Sequence, residues 1–379
     1  MKNRIDSLQG IRAFAFLGIY TCHSYLTVFG ACGGWGVSVF MILSGFLMFY
    51  SYADTDRIKS LGLISNIKFG IGKVKRLYPL HIVTMLLAMP FLIEECLGYH
   101  GIERILQPAV RTLLNTTLLQ SWVPVEGVYF SLNTVSWYLS TSLFLYCMFP
   151  VILFIMKKYK GIKTAVIVIL CTFALQCAFA YLAHRVQMDV LHKEDFTHWF
   201  TYVFPLSRLE DFVIGCNLGY VFMHAKRRDD QQAEVKYTVL EIGILIVIVL
   251  QWVAHYFLLS LPSQDNPQLP NEAWWRFTVY WTLTSCALVY IFAVNKGKLS
   301  KLFSTKPLLF IGKMSAYAFL IHQLVYRYLK VAEKKILGKP NDVLNLFICF
   351  IITIILSVLW DKLTLHFQKR KQLKRLAGE

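Results

Sequence analysis

The sequence predicts an all-α, polytopic membrane protein of about ten transmembrane helices with both termini in the cytoplasm. Three observations lead there. Hydrophobic residues make up 56% of the 379-residue chain and charged residues only 16%, and the mean hydropathy of +0.51 belongs to a chain whose main solvent is lipid. The apolar residues gather into stretches of roughly 20, the length needed to cross a hydrocarbon core. Basic residues cluster between those stretches, in alternate loops.

The stretches fall at about 8–29, 34–52, 77–97, 132–156, 164–183, 199–223, 238–260, 274–294, 307–329 and 343–363. Arg12, Arg208, Arg276, Lys313 and Arg327 lie inside them. With the N-terminus inside, and with Lys362 at the end of the last stretch counted with the tail, 26 of the remaining Lys and Arg fall in cytoplasmic segments and 8 in external loops, the asymmetry that the positive-inside rule requires. That cytoplasmic count includes Lys369, Arg370, Lys371, Lys374 and Arg375 of the tail. A single membrane domain over 1–365 and a basic cytoplasmic tail over 366–379 account for the chain, since no repeat, low-complexity tract or Gly/Ser linker divides it.

The excess of 39 Lys and Arg over 22 Asp and Glu raises the question of a nucleic-acid partner. Placement excludes it, because the cations sit in short clusters between apolar runs. The first run, preceded by Lys2 and Arg4, is too long for a signal peptide and lacks a convincing cleavage site, so it is expected to stay as a helix. The nine cysteines lie in or beside apolar stretches with no Cys-x-x-Cys, which makes them small apolar fillers and predicts neither a disulfide framework nor a metal site. Segments 53–76 and 98–131 have room for short re-entrant or interfacial elements, the second containing Trp122, Pro124 and Tyr129. Trp274 and Trp275 fit an interfacial aromatic belt.

Ionisable side chains inside spans are costly and become functional candidates. Arg12 and His23 are eleven residues apart. On a helix that is about three turns, which puts them on one face roughly 16 Å apart. Singly they read as a snorkelling anchor and a satisfied histidine. On one face together they favour a site for an anionic ligand that enters from the cytoplasm with its reactive end at His23. Span two opens on Gly33, Gly34, Trp35 and Gly36 and runs to Ser44, Gly45 and Phe46, small residues that serve close helix packing or a pocket. Lys73, Lys75, Arg76, Tyr78 and His81 mark the cytoplasmic mouth of span three, as topogenic charge or as phosphate ligands. Arg208 with Glu210 or Asp211 forms a candidate ion pair in span six. In span nine, His322 follows Lys313 at a depth that faces the cavity of His23.

These residues give the chain a resemblance to the acyltransferase 3 family of bacterial membrane O-acyltransferases, over nearly its whole length. The matching signatures are Asp6-Ser-Leu-Gln-Gly10-Ile-Arg12 followed after ten residues by His23, Gly33 to Phe46, Lys73 to Pro79, Phe204 to Gly215, and Ile311 to His322. Each is weak alone, but five in the family's order on ten spans make a specific match.

The resemblance implies transfer of an acyl group, acetyl above all, from cytoplasmic acetyl-CoA to a hydroxyl on an envelope polysaccharide or lipid-linked sugar outside the bacterial cytoplasmic membrane. Arg12 and His23 would be the essential pair, with His23 as general base. Lys73, Lys75, Arg76 and Tyr78 would hold the CoA phosphates, and Ser44, Trp137, Arg208 and His322 would line the substrate pocket. Two departures stand out. Lys73 replaces the usual first Arg of the basic motif, and Trp137-Tyr-Leu-Ser-Thr-Ser142 lacks the family's carboxylate, so another group must orient the histidine if that is the carboxylate's task. The resemblance also implies a stand-alone membrane enzyme without a fused hydrolase-like extension. Direct transfer with His23 as base and a transient acyl-histidine both remain open, as do a transporter or flippase without covalent chemistry and an inactive scaffold.

Overall fold

The computed structural model describes residues 4–23, 30–55, 58, 61–191, 196–225, 233–259, 278–337 and 341–376. Lys2, Trp274, Trp275 and Arg276 lie outside the described residues. Among the described residues the chain is helical, with no strand. In chain order it forms α1 (Asp6–Cys22), α2 (Gly30–Tyr52), α3 (Leu63–Val74), α4 (Tyr78–Cys96), α5 (Glu103–Thr116) and the single turn α6 (Glu126–Tyr129). There follow α7 (Trp137–Met156), α8 (Ile162–Val186), the short α9 (Phe196–His198), α10 (Pro205–His224) and α11 (Ala233–Leu259). The last four are α12 (Val279–Val294), α13 (Lys298–Phe303), α14 (Lys306–Leu337) and α15 (Asp342–Leu376).

Seven helices among the described residues are long and apolar enough to cross a membrane: α2, α4, α7, α8, α11, α14 and α15. The first, sixth and eighth expected spans coincide with α1, α10 and α12. α1 has 17 residues and α12 has 16, while α10 carries Arg208, Glu210 and Asp211 within its first two turns. Several boundaries move. The sixth span starts at Pro205, not at 199, because a π-helical turn over Trp199–Val203 ends at an extended Phe204, and proline is favoured in a helix's first turn. The ninth and tenth helices run on to Leu337 and Leu376.

Burial separates a centre from a periphery. α2 is 72% buried over its most apolar window, whereas the corresponding windows of α8 and α11 are each 17% buried, as suits helices facing lipid. α1, α2, α10 and α14 form the centre, with α12 beside them. Ser7 Oγ donates to the Phe292 carbonyl at 2.6 Å, tying α1 to α12. Small residues permit the closest contact. A Cβ at Gly45 would lie 2.1 Å from the Phe212 carbonyl oxygen, and one at Gly215 would lie 2.1 Å from that of Ile42. α2 and α10 therefore pack backbone to backbone, which is what glycine allows between membrane helices.

The segment 98–131 re-enters the bundle. α5 folds back along α4, with Thr112 Oγ1 4.0 Å from Met89 Sδ and Thr116 Oγ1 3.7 Å from Met85 Sδ, and Arg111 Nη1 donates to Glu95 at 2.6 Å. Ile102, Ile105, Leu106, Val110 and Leu113 stand exposed, the apolar stripe that a lipid-facing helix presents. The chain from 117 to 136 then turns through short pieces level with the middle of α4. Irregular backbone at such depth survives only inside protein, with its polar groups paired. Asn115 Nδ2 donates to Ser131 Oγ at 2.8 Å, and Ser136 Oγ to Asn115 Oδ1 at 3.2 Å. Asn133 Nδ2 reaches Thr84 Oγ1 at 3.0 Å and the Leu320 carbonyl at 2.8 Å.

The α2–α10 contact makes a direct test. Gly45→Ala or Gly215→Ala forces two backbones apart, and overpacking of this kind costs about 1–3 kcal/mol. Gly243→Ala on α11, with nothing within 4 Å of the added Cβ, leaves stability unchanged or raises it slightly. Thermal unfolding of the three detergent-solubilised variants checks the order; equal melting for all three would contradict it.

Candidate active site

A cavity of about 460 Å³ opens between α1, α2, α7 and α14 and the C-terminal end of α3. Its polar wall comprises Arg12, Ser44, Ser51, Tyr52, Lys73, Tyr138, Ser142, Tyr146 and Ser315, and its apolar wall includes Leu43, Leu47, Met48, Leu77, Phe319 and Leu320. This combination of apolar surface and a few convergent polar groups is typical of a small-molecule site. Arg12 is the focus. It lies two turns into α1, half-buried, and among the described residues no hydrogen bond or ion pair engages its guanidinium. Its positive charge therefore stands on the cavity wall beside Tyr138 and Tyr146.

The basic motif divides in three. Lys73 faces the cavity, where its Nζ donates to Tyr52 Oη at 2.5 Å and lies 4.3 Å from that ring's centroid. Arg76 turns to another partner: Nε donates to Tyr317 Oη at 2.7 Å, and Nη2 meets Asp361 Oδ1 at 3.2 Å. Asp361 also receives Lys313 Nζ at 2.7 Å, so one carboxylate on α15 ties the α3–α4 junction to α14. Lys75 is exposed. Tyr78 is an anchor in the bundle, donating from Oη to the Thr116 carbonyl at 2.9 Å, and does not line the cavity.

At the far end of α1, His23 caps the helix. Its Nδ1 lies 2.9 Å from the Ile19 carbonyl and 3.1 Å from Nε2 of His322. His322 is buried on α14, one turn beyond Phe319 and Leu320 of the cavity wall, with its Nδ1 2.8 Å from the Phe319 carbonyl. The structure thus joins two histidines 299 residues apart in sequence. It also brings Ser44 onto the cavity, where Oγ is 3.0 Å from Tyr146 Oη.

Trp137 and Arg208 stand apart from the cavity wall. Trp137 is buried, with its ring 5.0 Å from that of Tyr202. Arg208 is fully buried; Nη1 meets Asp211 Oδ2 at 2.7 Å and Nε donates to the Tyr202 carbonyl at 2.8 Å. Gln176 Nε2 donates to Asp211 Oδ1 at 2.9 Å, and Thr282 Oγ1 to Gln176 Oε1 at 2.9 Å. Arg208 and Asp211 therefore clasp α8, α10 and α12 together.

Sequence reasoning passed over Asp361, Tyr52, Tyr138 and Tyr146. Asp361 carried a usable signal, as an acidic residue closing an apolar stretch. The tyrosines carried none in a chain with twenty of them. Among the described residues, no group of three or more His, Cys, Asp and Glu could hold a metal ion, and every described cysteine is free.

Fold and site together define a helical, multi-pass membrane protein with a cavity on whose wall Arg12 and Lys73 stand, while His23 and His322, expected on that cavity, pair beyond its lining. The chain belongs to the acyltransferase 3 family, whose profile, described as an acyltransferase domain, matches residues 5–360. It is 29% identical over 243 residues to the acyltransferase MdmB of Streptomyces mycarofaciens, covering 58% of this chain and 57% of that protein. It is 25% identical over 339 residues to the O-acetyltransferase OatA of Staphylococcus aureus, covering 84% of this chain and 50% of that protein. The chain thus spans about half the length of the curated relatives it matches. No solved structure gives a significant match.

The ion pairs differ sharply in what their loss should do. Asp211→Ala leaves Arg208 buried and unpaired, which costs about 3–5 kcal/mol. Lys301→Ala removes an exposed pair with Glu234, for which about 0–1 kcal/mol is expected. Unfolding midpoints of the two solubilised variants should separate accordingly, and a stable Asp211→Ala protein would disprove the clasp.

Proposed function

We propose that this chain is a membrane-bound O-acyltransferase that moves an acetyl group from cytoplasmic acetyl-CoA to a hydroxyl of an extracytoplasmic glycan or lipid-linked saccharide. The observation that carries the proposal is Arg12, an arginine without a hydrogen-bond or ion-pair partner among the described residues, on the wall of a cavity inside a family of acyltransferases. The relatives named as acyltransferase and O-acetyltransferase support the reaction class. Ten spans in the bacterial cytoplasmic membrane, with both termini in the cytoplasm, set the orientation. Residues 1–365 act as the membrane domain and 366–379 as a basic tail. The Lys73 end of the cavity then faces the cytoplasm, and His23 lies towards the outside.

In this orientation Lys73 and Arg12 attract the negatively charged donor, and Lys75 and Arg76 add positive potential at the mouth. The apolar wall of Leu43, Leu47, Met48 and Leu77 suits the uncharged arm that carries the thioester. His23 accepts the proton of the acceptor hydroxyl while that oxygen attacks the thioester carbonyl. A C–O bond forms, and negative charge moves to the carbonyl oxygen. The C–S bond then breaks, the ester leaves with the acceptor, and the thiolate takes back the proton held by His23. Arg12, about three turns of α1 from His23, supplies positive charge to the anionic part of the donor and not to the reacting carbonyl.

Transfer of radiolabelled acetyl from acetyl-CoA to envelope glycan, in membranes with matched expression, tests the reading. His23→Ala should lower transfer by about a hundredfold or more, as expected when a general base is lost. Arg12→Ala should raise the KM for acetyl-CoA about tenfold or more, as expected when a charged contact to an anionic donor is lost. Lys73→Ala should act chiefly on the KM for acetyl-CoA. Label independent of His23 would remove it from the chemistry, and no label with the wild-type chain would overturn the proposed donor and acceptor.

A further inference from the structure

We propose that His322 is a positioning residue for the transfer, holding His23 in the tautomer whose Nε2 carries the free lone pair. The inference rests on the reading of His23 as the base and adds to it a residue and a geometry.

Proton placement follows from the contacts. Nδ1 of His322 lies 3.1 Å from the Ala318 carbonyl and 2.8 Å from that of Phe319. A carbonyl only accepts, so this nitrogen carries the hydrogen. In a neutral ring the other nitrogen, Nε2, then presents a lone pair, and it lies 3.1 Å from Nδ1 of His23. Two lone pairs do not face each other at that distance, so Nδ1 of His23 carries the proton. The Ile19 carbonyl, 2.9 Å from the same atom, makes the same demand. The remaining nitrogen, Nε2 of His23, meets no hydrogen-bond partner among the described residues and is the basic one.

The supporting ring is itself fixed. Phe16, Tyr20 and Phe319 surround it with ring centroids 6.0, 5.9 and 6.0 Å away. The chain of hydrogen bonds ends on backbone carbonyls, which take up no proton, so His322 orients the base and relays nothing. An acceptor behind the working histidine is a general device for fixing tautomer and ring plane. The acceptor behind His23 is a second imidazole.

The test measures kcat and KM for acetyl-CoA in membranes carrying the full chain, with transfer of radiolabelled acetyl to envelope glycan as the readout. His322→Leu should lower kcat by about a hundredfold, the upper end for loss of an orienting partner, while KM stays within about twofold. His322→Gln, whose amide oxygen can accept from Nδ1 of His23, should recover activity to within about tenfold of wild type. Wild-type kcat in His322→Leu, or equal losses in the Leu and Gln variants, would overturn the role. If the Leu variant does not fold, His322→Gln decides alone, since a loss beyond a hundredfold contradicts rescue. Full activity in His23→Ala would instead remove the base itself and the role built on it, so the two failures are distinguishable.

Discussion

Lipid offers no hydrogen bonds, and that single constraint explains where the polar groups of this bundle sit. Arg208 is fully buried, yet it finds Asp211 and the Tyr202 carbonyl, and Asp211 in turn holds Gln176. Asp361 gathers Arg76 and Lys313. The re-entrant segment pairs Asn115, Ser131 and Ser136 with one another. Against this background of paired groups Arg12 stands out, because its guanidinium looks into a cavity where the described residues offer it no partner.

The sequence made the helical class legible because a membrane span is a local property, carried by about twenty consecutive residues. Arg12 and His23 were legible for a related reason, since ionisable residues in apolar runs announce themselves. Their shared face follows from helical periodicity alone. What the sequence could not supply was distance across the bundle. The His23–His322 contact joins positions 299 apart, and nothing near either residue states which histidine it meets. Asp361 was hidden differently: its meaning lies in Arg76, on another helix and 285 residues away.

Hydropathy alone does not register which side of a helix meets protein. Segment 98–131, which the sequence gives room for a re-entrant element, folds α5 back against α4 with Arg111 and Asn115 buried and Glu103 and Arg104 exposed. Conversely, α10 carries three ionisable residues and lies among the most buried helices. In both cases the side chains are polar because the neighbouring surface is protein, and hydropathy averaged along one strand of chain does not register the neighbour.

The re-entrant segment also bears on how the chain is assembled. Its backbone from 117 to 136 forms no long helix and so cannot partition into lipid alone. Its partners are widely separated in the chain: Thr84 precedes it, while the Leu320 carbonyl that receives Asn133, and Arg327, which donates to the Leu132 carbonyl, follow by nearly 200 residues. The nascent chain must therefore carry this stretch unfinished through the synthesis of five further long helices. Only when α14 arrives are its last hydrogen bonds closed, so a segment in the first half of the chain is completed by one from its last quarter.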